Sequence, residues 1–164
     1  MQKLLSLKKG LITGLTMIAL ALFFFYGLKA PVESKYQYAI YTAYALGIVW
    51  SVWSFATTAE PSTSFKEYFS AGFKTFIIVT LLMVIYTAVF YKLNPQILEL
   101  KISLNNELAL KEGNHTPMEI EDNAKQMRSI FIPMMLAITT FMYLFLGALI
   151  SAVTAGVIIQ LKNK

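Results

Sequence analysis

The fold is decided by residues 129–160, which read SIFIPMMLAITTFMYLFLGALISAVTAGVIIQ and contain no charged side chain. About 20 such residues are enough for a helix to cross the hydrocarbon core of a bilayer. Three more uncharged runs precede this one, at 10–28, 36–59 and 75–91. Because 57% of the residues are hydrophobic and only 14% are charged, the chain is predicted to be an all-α membrane protein with four transmembrane helices.

The predicted organisation is a single membrane domain, residues 1–164. Its four spans are expected at about 10–28, 36–59, 70–91 and 133–159. Pro133 is expected to kink the last helix or to restart it, because proline lacks the amide hydrogen that a helix interior uses. The first run also resembles a signal peptide. We favour an uncleaved helix, since a cut after Ala30 would have the large Leu28 three positions before it and Pro31 just after it, which makes a poor cleavage site.

Two of the predicted spans carry small side chains on one face, which lets another helix approach closely within lipid. These helix-packing residues are Ala39, Ala43, Gly47 and Ser51 in the second span, and Gly147, Ser151 and Ala155 in the fourth. The favoured interpretation is packing inside one bundle, where the second and fourth helices could meet. An oligomerisation surface is the alternative.

Phenylalanine recurs at helical spacing just before the third run, at Phe65, Phe69, Phe73 and Phe76. Ser64 and Glu67 fit a capping box, which predicts that a helix begins near Phe65. An amphipathic helix of this kind can lie in the membrane interface. It can equally form the first turns of the third span, and the sequence leaves both possibilities open.

The segment 92–128 is the substantial polar part of the chain, and it is predicted to be an extramembrane helical hairpin between the third and fourth spans. Asn94 and Pro95 indicate the start of one helix, which Gly113 would end. Thr116 and Glu119 form a capping box for the next helix. Each helix has an apolar stripe of similar length: Ile97, Leu100, Leu104 and Leu108 on the first, and Ile120, Ala124, Met127 and Phe131 on the second. Two such stripes joined by about four residues indicate a helical hairpin.

The lysines near the two ends of the chain predict its orientation. Four spans put both termini on one side, where Lys3, Lys8 and Lys9 precede the first helix and Lys162 and Lys164 follow the last. Basic residues next to a span favour the cytoplasmic side. We therefore expect cytoplasmic termini and a periplasmic segment 92–128.

The sequence predicts no catalytic, cofactor-binding or metal site. The predicted spans hold no ionisable side chain in their cores, whereas ion pumps and proton-coupled carriers usually need one. The chain has no cysteine. His115 lies near Glu119, Glu121 and Asp122, but these acids sit in a first helical turn, where the helix dipole favours them. Nucleic-acid binding is not expected, because no basic cluster exceeds Lys8 and Lys9.

Four short motifs carry a resemblance to a known family. They are Lys9-Gly10, the segment SFKEYFSAGF at 64–73, the segment YKLNP at 91–95, and the small-residue helix of 147–164 that ends in lysines. Their order resembles that of an uncharacterised membrane family, domain of unknown function 4199, found in Bacteroidetes-type bacteria. The resemblance implies four spans and a bacterial inner membrane, and it implies no activity.

The function expected from these features is that of a non-enzymatic inner-membrane protein, an accessory or scaffold subunit of a membrane complex. Its partners would be the lipid bilayer and either another membrane protein or further copies of the chain. The alternative is a small transporter or a lipid-carrier flippase component of the kind that accompanies a polyprenyl-phosphate glycosyltransferase. Such a carrier needs a polar path, which Thr80, Thr87, Thr139 and Thr140 could line. An enzyme that uses His115 and the nearby acids is the second alternative.

Overall fold

The computed structural model describes residues 2–32, 34–60, 62–113 and 115–162, and their side chains from residue 6 onward. Met1, Asn163 and Lys164 of the predicted domain lie outside the described residues, as does the side chain of Lys3. Five α-helices follow one another: α1 (Gln2–Leu22), α2 (Gln37–Ala56), α3 (Phe65–Leu93), α4 (Pro95–Glu112) and α5 (Pro117–Lys162). A π-helical turn, Phe23–Gly27, extends α1. The described part of the chain contains no strand.

Within the described ranges, four helical segments are long and apolar enough to cross a membrane. They are Ser6–Gly27, Gln37–Ala56, Phe65–Leu93 and Pro117–Lys162. The prediction of an all-α membrane protein is therefore confirmed. α1 begins at Gln2, well before the uncharged run, because lysine is a good helix former. Only the part of a helix inside the hydrocarbon has to be uncharged.

Pro133 does not restart the last helix, which differs from one of the two expectations for this residue. α5 runs without interruption through 46 residues and contains Pro133. Its length is about 69 Å at 1.5 Å per residue, more than twice the roughly 30 Å of a hydrocarbon core. A proline removes one backbone hydrogen bond, and the long helical sequence on both sides compensates for that loss.

The chain forms two compact units. Unit 1 comprises α1, α2, the part of α3 up to Met83 and the part of α5 from Thr140 onward. Its core contains large apolar side chains, among them Met17, Tyr44, Ile48, Val52, Tyr68 and Val79. Unit 2 comprises residues 84–139, and its buried side chains include Phe90, Ile102, Ala124 and Phe131.

Glycines bring α1 close to its neighbours in unit 1. A Cβ atom on Gly10 would lie 2.9 Å from the Thr75 carbonyl oxygen of α3. A Cβ atom on Gly14 would lie 2.5 Å from Cδ1 of Leu82, also on α3. Real Cβ atoms do not approach so closely. The absence of a side chain at these two positions therefore permits the observed separation of α1 and α3.

Candidate functional site

The small residues predicted on α2 occupy two different environments. Ala39 is exposed and Ala43 is half-buried, whereas Gly47 and Ser51 are buried in unit 1. A Cβ atom on Gly47 would overlap the Thr13 side chain of α1. The Ser51 hydroxyl accepts a 2.6 Å hydrogen bond from Thr75 of α3. The inner half of this stripe therefore packs against α1 and α3.

The small residues predicted on α5 are all buried in unit 1. Gly147, Ser151 and Ala155 each lie against the bundle interior. A Cβ atom on Gly147 would lie 2.5 Å from Cγ of Phe76, and one on Gly72 would lie 2.8 Å from Cβ of Ser151. α3 therefore approaches this face of α5 closely, with Phe76 over Gly147 and Gly72 over Ser151.

The phenylalanine segment forms the first turns of α3, so the third span and the predicted interfacial helix are a single helix. Its rings make a continuous row, with centroid separations of 6.2 Å for Phe65–Phe69, 6.2 Å for Phe69–Phe73 and 5.0 Å for Phe73–Phe76. Phe65 and Phe73 are exposed, whereas Phe76 is buried among the helices. Phe76 therefore belongs to the core of unit 1.

The hydroxyl groups that a polar path would use are partnered locally. Thr80 donates to the carbonyl oxygen of Phe76 at 2.8 Å, and Thr87 lies 3.5 Å from Thr139. Tyr44 donates to the carbonyl oxygen of Tyr143 at 2.6 Å, which joins α2 to α5. Ser151 and Tyr68 have buried hydroxyl groups with no hydrogen-bond partner among the described residues.

Unit 2 is an antiparallel helical hairpin. Along it, Thr87 meets Thr139, the rings of Tyr91 and Phe131 lie 5.0 Å apart, and Glu99 pairs with Arg128. Residue numbers rise along one side of the hairpin as they fall along the other. This register places Ile102 at the level of Ala124, and both side chains are buried.

The turn of the hairpin follows the predicted signals. Gly113 ends α4 with a φ of 69°, a left-handed conformation that glycine adopts without strain. At the start of α5, the Thr116 amide donates to the Glu119 carboxylate at 2.8 Å. The Glu119 amide donates in return to the Thr116 hydroxyl at 3.3 Å. This is the reciprocal capping box that the spacing predicts.

A bidentate ion pair fixes α4 against α5. Arg128 donates to both carboxylate oxygens of Glu99, at 3.0 Å from Nε and 2.8 Å from Nη2. These hydrogen bonds and the guanidinium charge lower the pKa of the Glu99 carboxyl from its usual value. Both side chains are half-exposed. Because ion pairs exposed to solvent contribute little free energy, this pair orients α4 on α5 without adding much to the stability of the fold.

Leu100, Leu104 and Leu108 are on the exposed side of α4, so the stripe that indicated the hairpin is not the face that packs inside it. Ile102 is 4% exposed, whereas Leu100, Leu104 and Leu108 are 61%, 52% and 58% exposed. At 100° per residue, Ile102 lies opposite Leu100 and Leu104. α4 has two apolar faces, and the one with Ile102 packs in the hairpin. The other, which we call the leucine stripe, comprises Ile97, Leu100, Leu104 and Leu108.

The residues of the predicted stripe on α5 are buried or half-buried. Ala124 and Phe131 are buried, and Ile120 and Met127 are half-buried.

Sequence reasoning missed Ile102, Glu99 and Arg128. A signal for Ile102 existed, since Leu98, Ile102 and Ala109 also share one helical face. The Glu99–Arg128 contact joins residues 29 positions apart, and nothing in the local sequence predicts it.

The acidic residues around His115 are engaged in local contacts. The His115 Nε2 atom lies 3.7 Å from the Glu112 carboxylate, and Glu119 caps the helix at Thr116. Glu121 and Asp122 both approach the Lys125 ammonium, at 2.9 and 3.8 Å. Within the ranges that the structure describes, no three His, Cys, Asp or Glu side chains are grouped as metal ligands.

The sequence comparison identifies the family. The model of a family described as protein of unknown function (DUF4199) matches residues 8–159, a range that includes all four candidate spans nearly whole and the entire hairpin. No curated protein matches the chain, and no solved structure matches it. The resemblance predicted from the four short motifs is confirmed, and the chain belongs to the DUF4199 family.

Proposed function

We propose that this chain is a non-enzymatic accessory or scaffold subunit of a bacterial inner-membrane complex, which presents its helical hairpin to a protein partner outside the membrane. The observation that carries the proposal is the exposed leucine stripe of α4. Three leucines are more than half exposed on a helix whose other apolar face already packs on α5. Contiguous apolar surface of this kind marks interaction sites.

Contacts within the hairpin hold this surface in a fixed position. Gly113 and the Thr116–Glu119 capping box define its turn, and the Glu99–Arg128 pair holds the register of its two helices. Covering the half-exposed leucines of the stripe would contribute roughly 1 kcal/mol for each side chain, by the usual value for apolar burial. A partner would therefore gain useful affinity without any rearrangement of α4 and α5.

The proposed orientation places the termini in the cytoplasm and the hairpin in the periplasm. The lysines Lys8 and Lys9 before the first span and Lys162 after the last support it, since basic flanks favour the cytoplasmic side. The 46 residues of α5 exceed what one bilayer needs. The excess at its N-terminal end is the half of the hairpin that carries Glu119, Glu121 and Asp122.

The alternative of a small transporter or lipid-carrier flippase component receives less support. Thr80 bonds to the backbone of its own helix, and Thr87 faces Thr139 across the hairpin. Glycines at 47, 72 and 147 let side chains fill the space between helices in unit 1. Contacts of this type favour a packed scaffold over a carrier with a polar path.

Purification from native membranes in a gentle detergent, followed by native mass spectrometry, tests the proposal. The wild-type chain should be recovered with a stoichiometric protein partner, either another protein or a further copy of itself. Leu100→Glu/Leu104→Glu should abolish that association, whereas Gln126→Glu, on exposed surface of α5, should retain it. Recovery of the wild-type chain only as a lone monomer would contradict the proposal.

A further inference from the structure

We propose that unit 1 binds the phosphate group of an anionic phospholipid at Lys9 and Trp50, where α1 meets α2. This site lies in unit 1 alone, so it is separate from the leucine stripe and from the function proposed for the hairpin. Its lipid would belong to the membrane leaflet next to the N-terminal end of α1.

Lys9 is buried although the lysine before it is not. The Lys9 side chain is 6% exposed, whereas Lys8 is exposed. Lysines at the end of a membrane span ordinarily bury their stems and keep their ammonium groups in water. The burial of Lys9 therefore needs a cause other than its place at the start of a span.

The Lys9 ammonium group has no anionic partner in the described part of unit 1. It lies 5.3 Å from the centre of the Trp50 ring, and no carboxylate or hydrogen-bond acceptor among the described residues contacts it. Of the two described acidic residues of this unit, Glu67 accepts hydrogen bonds from Ser64 and Glu60 is exposed. The ring attracts the cation, but a buried charge with three N–H donors still requires an anion. That anion has to come from outside the chain.

Contacts on both sides of Lys9 hold this part of α1 in place. Before it, the carbonyl oxygen of Ser6 accepts a 3.3 Å hydrogen bond from the Thr75 hydroxyl of α3. After it, the Thr13 side chain fills the space where Gly47 of α2 has no Cβ atom. A group that is already fixed loses less entropy when it binds. The ammonium of Lys9 is therefore preorganised for a ligand.

Apolar surface beside Lys9 favours a phospholipid over a free phosphate ion. Trp50 is half-exposed, and Leu46, one helical turn before it on the same face of α2, is 64% exposed. Lys9 directly precedes the uncharged run 10–28, whose length is close to the thickness of the hydrocarbon core. A phosphate at Lys9 would thus lie at the depth of the headgroups, and an acyl chain can follow Leu46 toward the membrane centre.

The fluorescence of Trp50 reports directly on the lipid at this site. The chain has two tryptophans, so Trp53→Phe leaves Trp50 as the single reporter. This variant would be reconstituted at low ionic strength in mixtures of phosphatidylglycerol and phosphatidylcholine, with quenching bromine atoms on one lipid or the other. Phosphatidylglycerol should be preferred at Trp50 by roughly fivefold, the effect of one lysine next to an anionic headgroup. Equal affinity for the two lipids would overturn the inference.

Lysine variants in the same background distinguish a site from general attraction to a basic flank. Lys9→Gln should abolish the preference for phosphatidylglycerol. Lys8→Gln removes the same charge one residue away and should retain the preference, as should Lys9→Arg, which keeps the charge. Equal losses from Lys9→Gln and Lys8→Gln would overturn the inference.

Two further measurements require no change at Lys9. Leu81→Trp, in a chain whose two natural tryptophans are replaced by phenylalanine, reports on exposed surface of α3 and should show no preference between the lipids. Inorganic phosphate added at constant ionic strength should leave the quenching of Trp50 unchanged. The same preference at Leu81→Trp as at Trp50, or displacement of the lipid by inorganic phosphate, would overturn the inference.

Discussion

The two units differ in what can cover their exposed apolar side chains. In unit 1, glycines and serines are buried and large side chains pack directly over them, as Phe76 packs over Gly147. In unit 2, the large residues Leu100 and Leu104 are exposed and Ile102 alone of α4 is fully covered. Unit 1 also exposes large apolar side chains, among them Leu15, Leu46 and Leu81, but these lie on helices that are long and apolar enough to face lipid. α4 is not such a helix, so its exposed leucines need a different cover.

The largest expected change in stability comes from substituting a closely packed glycine of α5 and comparing it with an open one. Gly147→Leu should destabilise unit 1 by about 3 kcal/mol or more, since the side chain would collide with Phe76. Gly156→Leu is the matched control, because a Cβ atom there meets nothing within 4 Å. Thermal unfolding in detergent measures both variants. Equal losses would show that Gly147 is not a close-packing position.

The next largest effect separates the two faces of α4. Ile102→Ala should destabilise the hairpin by about 2–3 kcal/mol, the usual cost of truncating a buried aliphatic side chain. Leu104→Ala should change the stability of the monomer by less than about 0.5 kcal/mol, as is normal for exposed positions. Hydrogen exchange of α4 in detergent reports the difference. A larger loss from Leu104→Ala would reverse our assignment of the two faces.

A smaller effect compares two buried serines of unit 1. Ser51 accepts a 2.6 Å hydrogen bond from Thr75, so Ser51→Ala should cost about 1 kcal/mol, because Thr75 would keep only its longer contacts with the carbonyl oxygens of Ser6 and Ala71. The Ser151 hydroxyl is buried without one, so Ser151→Ala should be neutral or slightly stabilising. Denaturation midpoints of the two variants provide the test. A greater loss from Ser151→Ala would indicate a partner for that hydroxyl.

The smallest effect concerns the Glu99–Arg128 pair. The folded pKa of Glu99 is lowered, so its contribution to the hairpin is present above its unfolded pKa of about 4.3. It is lost as the pH falls through the folded pKa. Exchange protection of α4 should therefore decline slightly below pH 4 in the wild-type chain, and Glu99→Gln should remove this part of the pH dependence. An unchanged profile in Glu99→Gln would assign the decline to another group.

The helices and the turn of the hairpin were predictable from local sequence. Uncharged runs of bilayer length give the four spans, and capping at Thr116 and the left-handed Gly113 give the turn. Two features were left open by the sequence. α4 has apolar residues on opposite faces, and the burial of Ile102 instead of Leu100 and Leu104 depends on a helix that is distant in sequence. At Pro133 a kinked helix and a restarted helix were both expected, and α5 is continuous because the helical sequence on both sides outweighs one breaking residue.

The central claim, that the leucine stripe is covered in the native membrane, is tested most directly by cysteine accessibility along α4. Single cysteines at Ile97, Leu100, Ile102 and Leu104 of α4, and at the exposed Gln126 of α5 as a reference, would be labelled with an impermeant maleimide, first in native membranes and then in detergent that dissociates the partner. The account predicts slow labelling at Leu100 and Leu104 in membranes, fast labelling there in detergent, and slow labelling at Ile102 in both. Labelling of Leu100 and Leu104 in native membranes as fast as that of Gln126 would contradict it.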